Sequence, residues 1–148
     1  MDTDVRRRWV NRLSRIFHVL QRVGVRTGRA QILTTTGRKS GQAQSQPVGV
    51  VPIDGKEYIF QAYPRAAWVA NARQTPAASL ASGRRVREVV LVEQPVETRR
   101  QLLLHQLRTE PDTAKLLVKS GLVDDSTPEG VAAAAERIAV FEVQPGVA

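Results

Sequence analysis

The nine residues Thr34-Thr35-Thr36-Gly37-Arg38-Lys39-Ser40-Gly41-Gln42 gather more ligand-binding chemistry than any other stretch of the chain. Gly37 and Gly41 let the backbone approach a ligand closely. Successive amides in such a turn can form an anion-binding nest. Arg38 offers a planar two-point fork, Lys39 a compact charge, and Thr36 and Ser40 add hydroxyl donors. That combination favours a grip on phosphate or carboxylate. The same residue types also make an ordinary solvated β-turn, and the segment alone leaves both readings open.

Little else in the sequence supplies reactivity. The 148 residues contain no cysteine, which removes disulfides, thiolate metal sites and cysteine nucleophiles. The two histidines, His18 and His105, are far apart and fall beside apolar helical stripes, where partial burial is the expected role. No GxSxG, HExxH, Walker A or strand-linked GxGxxG motif occurs, and the acids are scattered. An enzyme with this inventory relies on a cofactor for its reaction. Tyr63 is the candidate catalytic hydroxyl, able either to donate a proton or to fill the mouth of a barrel. Trp68 is expected in the core, leaving only its backbone for a ligand. Asn71, one helical turn after Ala67, is expected to cap or brace the neighbouring loop.

The elements that must position these groups are legible from periodicity. Asp4 can cap an amphipathic helix to about Val23, its stripe formed by Trp9, Leu13, Ile16, Phe17 and Leu20, before a glycine-flanked linker. Strands are expected over 30–36, 43–51, 56–62, 77–81, 84–93 and 138–143, and further helices over 64–74, 95–107, 112–120 and 128–136. Asp54-Gly55 is a strong hairpin signal, and Pro47 inside the second strand predicts an edge or a bulge. About six mostly antiparallel strands with flanking helices make an α+β small barrel the expected fold. The chain reads as one domain over 1–148, with a basic helix and linker to residue 28 and a barrel over 30–143.

The net charge of +8 lies in the first 41 residues, where ten Arg or Lys face two acids; the remainder carries twelve of each sign. A localised basic field implies an anionic partner. For residues 4–23 two readings stand: a helix docked on the barrel with its arginines in water, or one lying on an anionic membrane surface. Nucleic acid is not expected, because no binding motif is present and only seven residues are aromatic. The absence of a spanning run and of a secretory h-region points to a cytoplasmic protein, peripheral at the inner membrane face if the helix binds lipid. A small-molecule substrate and a homodimer are both compatible with the sequence.

The run LTTTGRKSGQ, followed by Pro47, then Asp54-Gly55 and a strand, then Tyr63 and Trp68-Val69-Ala70-Asn71, resembles the deazaflavin-dependent nitroreductase and quinone reductase family, actinobacterial enzymes that use coenzyme F-420. The similarity covers about Ile32 to Glu93, with weaker agreement near Ala135–Arg137 and at Val140-Phe141. It implies a split β-barrel and a reductase that passes hydride to a quinone, an enone or another electrophilic small molecule. It also implies that Arg38, Lys39, Ser40 and Gly41 grip the phosphate and acidic tail of the cofactor. Pro47 and Val48 would face it from the second strand, and Ala66, Ala67 and Trp68 would bring backbone amides to it. Three departures stand out. Gln44 replaces an arginine found in many relatives, which weakens or moves one tail contact. The loop over 62–67 is short. The aromatic C-terminal residues of the nitroreductase members have no counterpart. An FMN-binding barrel and a cofactor carrier without turnover are the alternatives.

Overall fold

Ala30–Thr36 is rich in β-branched residues and buries its side chains almost continuously, as a strand covered on both faces must. It forms β1 of the computed structural model, which describes residues 30–110, 112–124 and 127–146. The amphipathic helix expected over 4–23, His18 and the linker lie outside the described residues. The other strands are β2 (Ala43–Ile53), β3 (Lys56–Phe60), β4 (Ala77–Ser82), β5 (Arg85–Glu93) and β6 (Val140–Pro145). They close an antiparallel barrel in the order β1-β2-β3-β6-β5-β4. Asp54 and Gly55 turn β2 into β3 with φ of 51° and 79°, the doubly positive geometry of a tight hairpin.

Pro47 pairs with Ile32 in an unbroken β1–β2 ladder. The β2–β3 ladder covers only Val50–Ile53, so the Ala43–Gly49 half of β2 has β1 on one side and no strand on the other. That free edge accommodates a residue lacking an N–H. The expectation of an edge holds, without a bulge. The barrel is split at this overhang, and α1 (Ala67–Gln74) fills the adjoining end.

Inward positions Leu33, Val50, Ile59, Leu80, Leu91 and Phe141 form the barrel core together with residues of α1. Trp68 is 3 % exposed, and its ring centroid lies 5.3 Å from that of Phe141 at 58°, a favoured tilted aromatic contact. The indole therefore plugs the barrel, as the sequence suggested. Outside the barrel, α2 (Val96–Thr109), α3 (Asp112–Ser120), α4 (Pro128–Ala133) and a 3-10 turn (Ala134–Glu136) form a second layer. Leu103, Leu117, Val131 and Ile138 pack within it. Thr127 caps α4, its Oγ1 accepting from the Gly130 amide at 3.1 Å, and Pro128 occupies the first turn.

Three expectations are corrected. The helix placed at Pro64 begins at Ala67, because Arg65 sits at φ 57°, outside the helical region. The last strand is displaced to Val140–Pro145; the Ala139 amide instead donates to Gln61 Oε1 at 3.0 Å, while the Gln61 amide donates to the Ala139 carbonyl at 2.9 Å. That exchange also ends β3 at Phe60. His105 is exposed on α2 rather than partly buried.

The barrel closes beyond β6 through Gly146, whose amide donates to the Glu88 carbonyl at 2.9 Å. A Cβ at Gly146 would lie 2.9 Å from both the carbonyl carbon and oxygen of Glu88. Backbone cannot yield as a side-chain tip can, so Gly146→Ala is expected to cost roughly 1–3 kcal/mol. At Gly49 a Cβ meets nothing within 4 Å, so Gly49→Ala should melt close to wild type. Thermal melting of the pair checks this; equal melting temperatures would remove the steric argument.

Candidate functional site

The Gly37–Gly41 turn is not loose. Gly37 donates to the Gln42 carbonyl at 2.8 Å, Gly41 donates to the Gly37 carbonyl at 2.9 Å, and the chain reverses through Gly41 at φ 70°. Ser40 Oγ accepts from the Gln42 amide at 3.2 Å. The turn is then clasped to α1 by Asn71, which is 1 % exposed. Asn71 Oδ1 accepts from the Arg38 amide at 3.1 Å and from Arg38 Nη1 at 3.2 Å. Its Nδ2 donates to Thr35 Oγ1 at 3.2 Å and to Gln44 Oε1 at 2.8 Å. One buried amide thus uses both donors and two acceptor sites to join β1, the turn, β2 and α1. Asn71 is expected from the sequence to brace the loop beside Ala67; its side chain instead holds the Gly37–Gly41 turn, 33 positions away in sequence at Arg38.

Two of the amides expected in an anion nest, those of Arg38 and Gly41, are spent within the protein. The Lys39 and Ser40 amides have no acceptor among the described residues. The side chains of Arg38 and Lys39 are exposed, and neither forms an ion pair among the described residues. A cationic turn with free donors and no acid beside it can hold an anion.

Side chains alternate along β2. Val48 and Val50 point into the core; Gln44 and Gln46 share their face and carry it upward into the split as a polar row. Pro47 is on the opposite face, so Pro47 and Val48 do not present side chains to one ligand. Tyr63 reaches this row across the split: its hydroxyl donates to Gln46 Oε1 at 3.1 Å. The phenol is protonated at neutral pH in any case, and burial pushes it further above its ordinary value. The Tyr63 carbonyl accepts from Gln61 Nε2 at 3.0 Å, and Gln61 is 8 % exposed. Nearby, Ala66 precedes the first turn of α1 without any side-chain cap. The first backbone amides of α1 therefore have no side-chain cap to satisfy them.

The structure therefore gathers Arg38, Lys39, Ser40, Gly41 and Gln44 on one side of Asn71. It places Gln46, Tyr63 and Ala67 around the mouth, and sends Val48, Ala66 and Trp68 into the buried floor. Sequence reasoning missed Gln46. Its only signal was even spacing with Val48 and Val50, which places a polar side chain on an apolar face.

Behind the site, Glu93 on β5 holds α1 in place. Arg73 Nη2 reaches Glu93 Oε2 at 2.7 Å and Arg99 Nη2 reaches it at 3.1 Å. The hydrogen bond from Arg73 holds the Glu93 carboxyl below its usual range and raises the Arg73 guanidinium. A lowered carboxyl stabilises the fold fully above the unfolded value, near 4.3, and loses that contribution as pH falls through the folded value. The urea midpoint of wild type should therefore exceed that of Glu93→Gln by a margin that shrinks as pH drops below about 4. A margin independent of pH would remove the charge from the account. Arg73 is half exposed, so the margin is modest.

A six-stranded antiparallel barrel, split at one strand overhang and carrying a clasped cationic turn at the split, defines an α+β split barrel. Solved structures share that fold. One described as a domain-swapped dimer aligns with a TM-score of 0.56 at 23 % identity, covering 96 % of this chain and 98 % of that one. An F-420-H2 dependent reductase (FDR-A) aligns with 0.52 at 22 %, covering 78 % and 94 %. PhzG from Burkholderia lata, in complex with tetrahydrophenazine-1-carboxylic acid, aligns with 0.55 at 16 %, covering 92 % and 75 %. No curated protein matches. Residues 7–116 match the model of the F-420H(2)-dependent quinone reductase family, and the chain belongs to that family. It is an oxidoreductase, and its cofactor is the deazaflavin coenzyme F-420.

Proposed function

We propose that this reductase delivers hydride to a quinone, or to an enone or similar electrophilic small molecule, in the split between β2 and the N-terminal end of α1. The observation that carries the reading is the Asn71 clasp, which fixes an unneutralised cationic turn beside an apolar floor. The residues present fit the cofactor. Arg38 and Lys39 would bind its phosphate and acidic tail, assisted by the Ser40 hydroxyl and the free amides of Lys39 and Ser40. Val48 and the backbone of Pro47, Ala66, Ala67 and Trp68 would line its ring. Gln44 is tied to Asn71, so its role is to hold the turn rather than to replace a missing arginine. When bound in reduced form, F-420 supplies the hydride.

The remaining contributions are those of the chain itself. Trp68 packed on Phe141 makes the floor a buried apolar surface, which disfavours water there. The clasp sets the distance between turn and mouth before any ligand arrives, which lowers the entropic cost of positioning. Tyr63 keeps its proton at neutral pH, leaving two candidate proton sources for the product, its hydroxyl or solvent. The described residues contain no helix long and apolar enough to cross a membrane.

Titration of purified protein with F-420 and with FMN, followed by turnover with menadione, tests the reading. Tight F-420 binding and quinone reduction are expected. FMN binding without F-420 binding would overturn the cofactor assignment at this site, and binding without oxidation by any quinone or enone would favour a carrier. A homodimer is a secondary expectation, supported by the neighbour described as a domain-swapped dimer; light scattering decides it.

A further inference from the structure

Gln46 has one satisfied end and one unsatisfied end. Its Oε1 accepts the Tyr63 hydroxyl at 3.1 Å, whereas its Nε2 is shielded from water and meets no acceptor among the described residues. A shielded amide N–H without a partner costs free energy, and it calls for a specific explanation wherever it occurs. The surroundings supply one. Gln46 stands on the same face of β2 as Val48 and Val50, in the half of the strand that no β3 residue pairs with. The residue facing it across the ladder is Leu33, which offers the amide no polar side chain.

The other end of the amide is fixed with care. The Tyr63 hydroxyl can settle on Gln46 Oε1 because the Tyr63 carbonyl is held by Gln61 Nε2 at 3.0 Å, and Gln61 is itself locked by the Ala139 amide at 3.0 Å. Arg65, two residues on, occupies the left-handed region at φ 57°, a strained conformation for a side chain of that size and one that clusters at ligand sites. Contacts thus run from Ala139, just before β6, through Gln61 and Tyr63 to β2, and they fix the Gln46 amide with Oε1 on Tyr63 and Nε2 without a partner among the described residues. Spent on Oε1, the Tyr63 proton is directed at the protein and not at a substrate.

We infer that Gln46 Nε2 is a specificity-determining donor for a carbonyl-type oxygen of the ligand bound at the barrel mouth, and that Tyr63 is a positioning residue that orients the amide. The inference rests on the reading of this split as the cofactor and quinone site. Two sources offer that oxygen, the heterocycle of the cofactor and the quinone itself. An isosteric apolar replacement separates this from a structural role, because it removes the donor and also removes the unsatisfied group from the ligand-free protein.

The test compares wild type, Gln46→Met and Tyr63→Phe as full chains. Oxidised F-420 is titrated by fluorescence, KM and kcat for menadione are measured at saturating reduced F-420, and melting is recorded without ligand. Gln46→Met is expected to melt no lower than wild type and to lose about 5- to 100-fold in one ligand. A weakened F-420 Kd assigns the oxygen to the cofactor; a raised menadione KM with unchanged F-420 Kd assigns it to the quinone. Tyr63→Phe should shift the same constant in the same direction by a smaller factor, since the amide is then free to turn. It should also leave the pH profile of kcat unchanged. Constants within twofold of wild type in Gln46→Met, or a large loss of melting temperature with normal binding, overturn the proposal. If Gln46→Met does not fold, Tyr63→Phe decides alone: unchanged constants, or a lost basic limb in its pH profile, overturn it. Failure of wild type to bind F-420 would instead sink the site reading on which it rests.

Discussion

Replacing Asn71 by leucine is expected to lower the melting temperature by roughly 8–15 °C, from a loss of about 2–4 kcal/mol. Leucine is close in size and apolar, so the loss is not one of packing volume. It comes from the polar groups left behind. Thr35 is 3 % exposed, and its hydroxyl loses the Asn71 Nδ2 contact at 3.2 Å in a place water does not reach. The Arg38 amide and the Gln44 side chain lose their partners as well, but both lie at the surface and turn to solvent at small cost. Asn71→Asp separates stability from electrostatics. Its carboxylate still accepts from Arg38, and Thr35 can rotate its hydroxyl to donate. The fold should survive with a smaller loss, while the new negative charge beside Arg38 cancels part of the turn's attraction for an anionic tail. Gln74→Ala is the control, because Gln74 Nε2 touches the Arg38 carbonyl only at 3.5 Å on the exposed side. If Asn71→Leu melts within about 2 °C of wild type, less than 1 kcal/mol for a chain of this size, the clasp does not hold the turn.

The Asn71 clasp also marks the boundary of what the sequence discloses. Strand β1 was readable to the residue because Ala30–Thr36 is rich in β-branched side chains, four of them between Ile32 and Thr36, and stops at a glycine. The hairpin at Asp54-Gly55 was readable because few dipeptides adopt two positive φ angles. Those signals are local. The clasp joins residues 27, 33 and 36 positions apart, and no local pattern encodes which hydroxyl an asparagine will meet. Arg65 shows the same limit from the other side. Pro64 ahead of Arg65-Ala66-Ala67 reads as a helix start, yet the chain first turns left-handed at Arg65. Tertiary demand overrode propensity there. Gln46 was hidden for a different reason. It lies between Ser45 and Pro47 at a polar strand end, and its even spacing with Val48 and Val50 is too short a pattern to mark a shared face, which the ladder then shows.

Arg38→Ala is expected to weaken F-420 binding roughly 10- to 150-fold, the range for losing one charge-assisted contact of about 1.5–3 kcal/mol. The fold should be nearly indifferent to it. The backbone amide of Arg38 keeps its bond to Asn71 Oδ1 at 3.1 Å, and only the side-chain contact at 3.2 Å is removed. That contact engages Nη1, which leaves Nε and Nη2 of the guanidinium for a ligand. The arginine is thus pre-aimed by the residue that anchors the turn. Arg38→Lys should recover only part of the affinity, since a single ammonium cannot reach Asn71 and also present a two-point fork. Two comparisons identify the tail as the group recognised. The deazaflavin riboside without phosphate or glutamates should bind wild type and Arg38→Ala about equally. Rising salt should weaken wild-type binding of intact F-420 while affecting the riboside little, because exposed charges are screened within about 10 Å at 0.1 M. Should Arg38→Ala bind intact F-420 as tightly as wild type, the Gly37–Gly41 segment would be a structural turn, and the tail would have to be held elsewhere on the barrel.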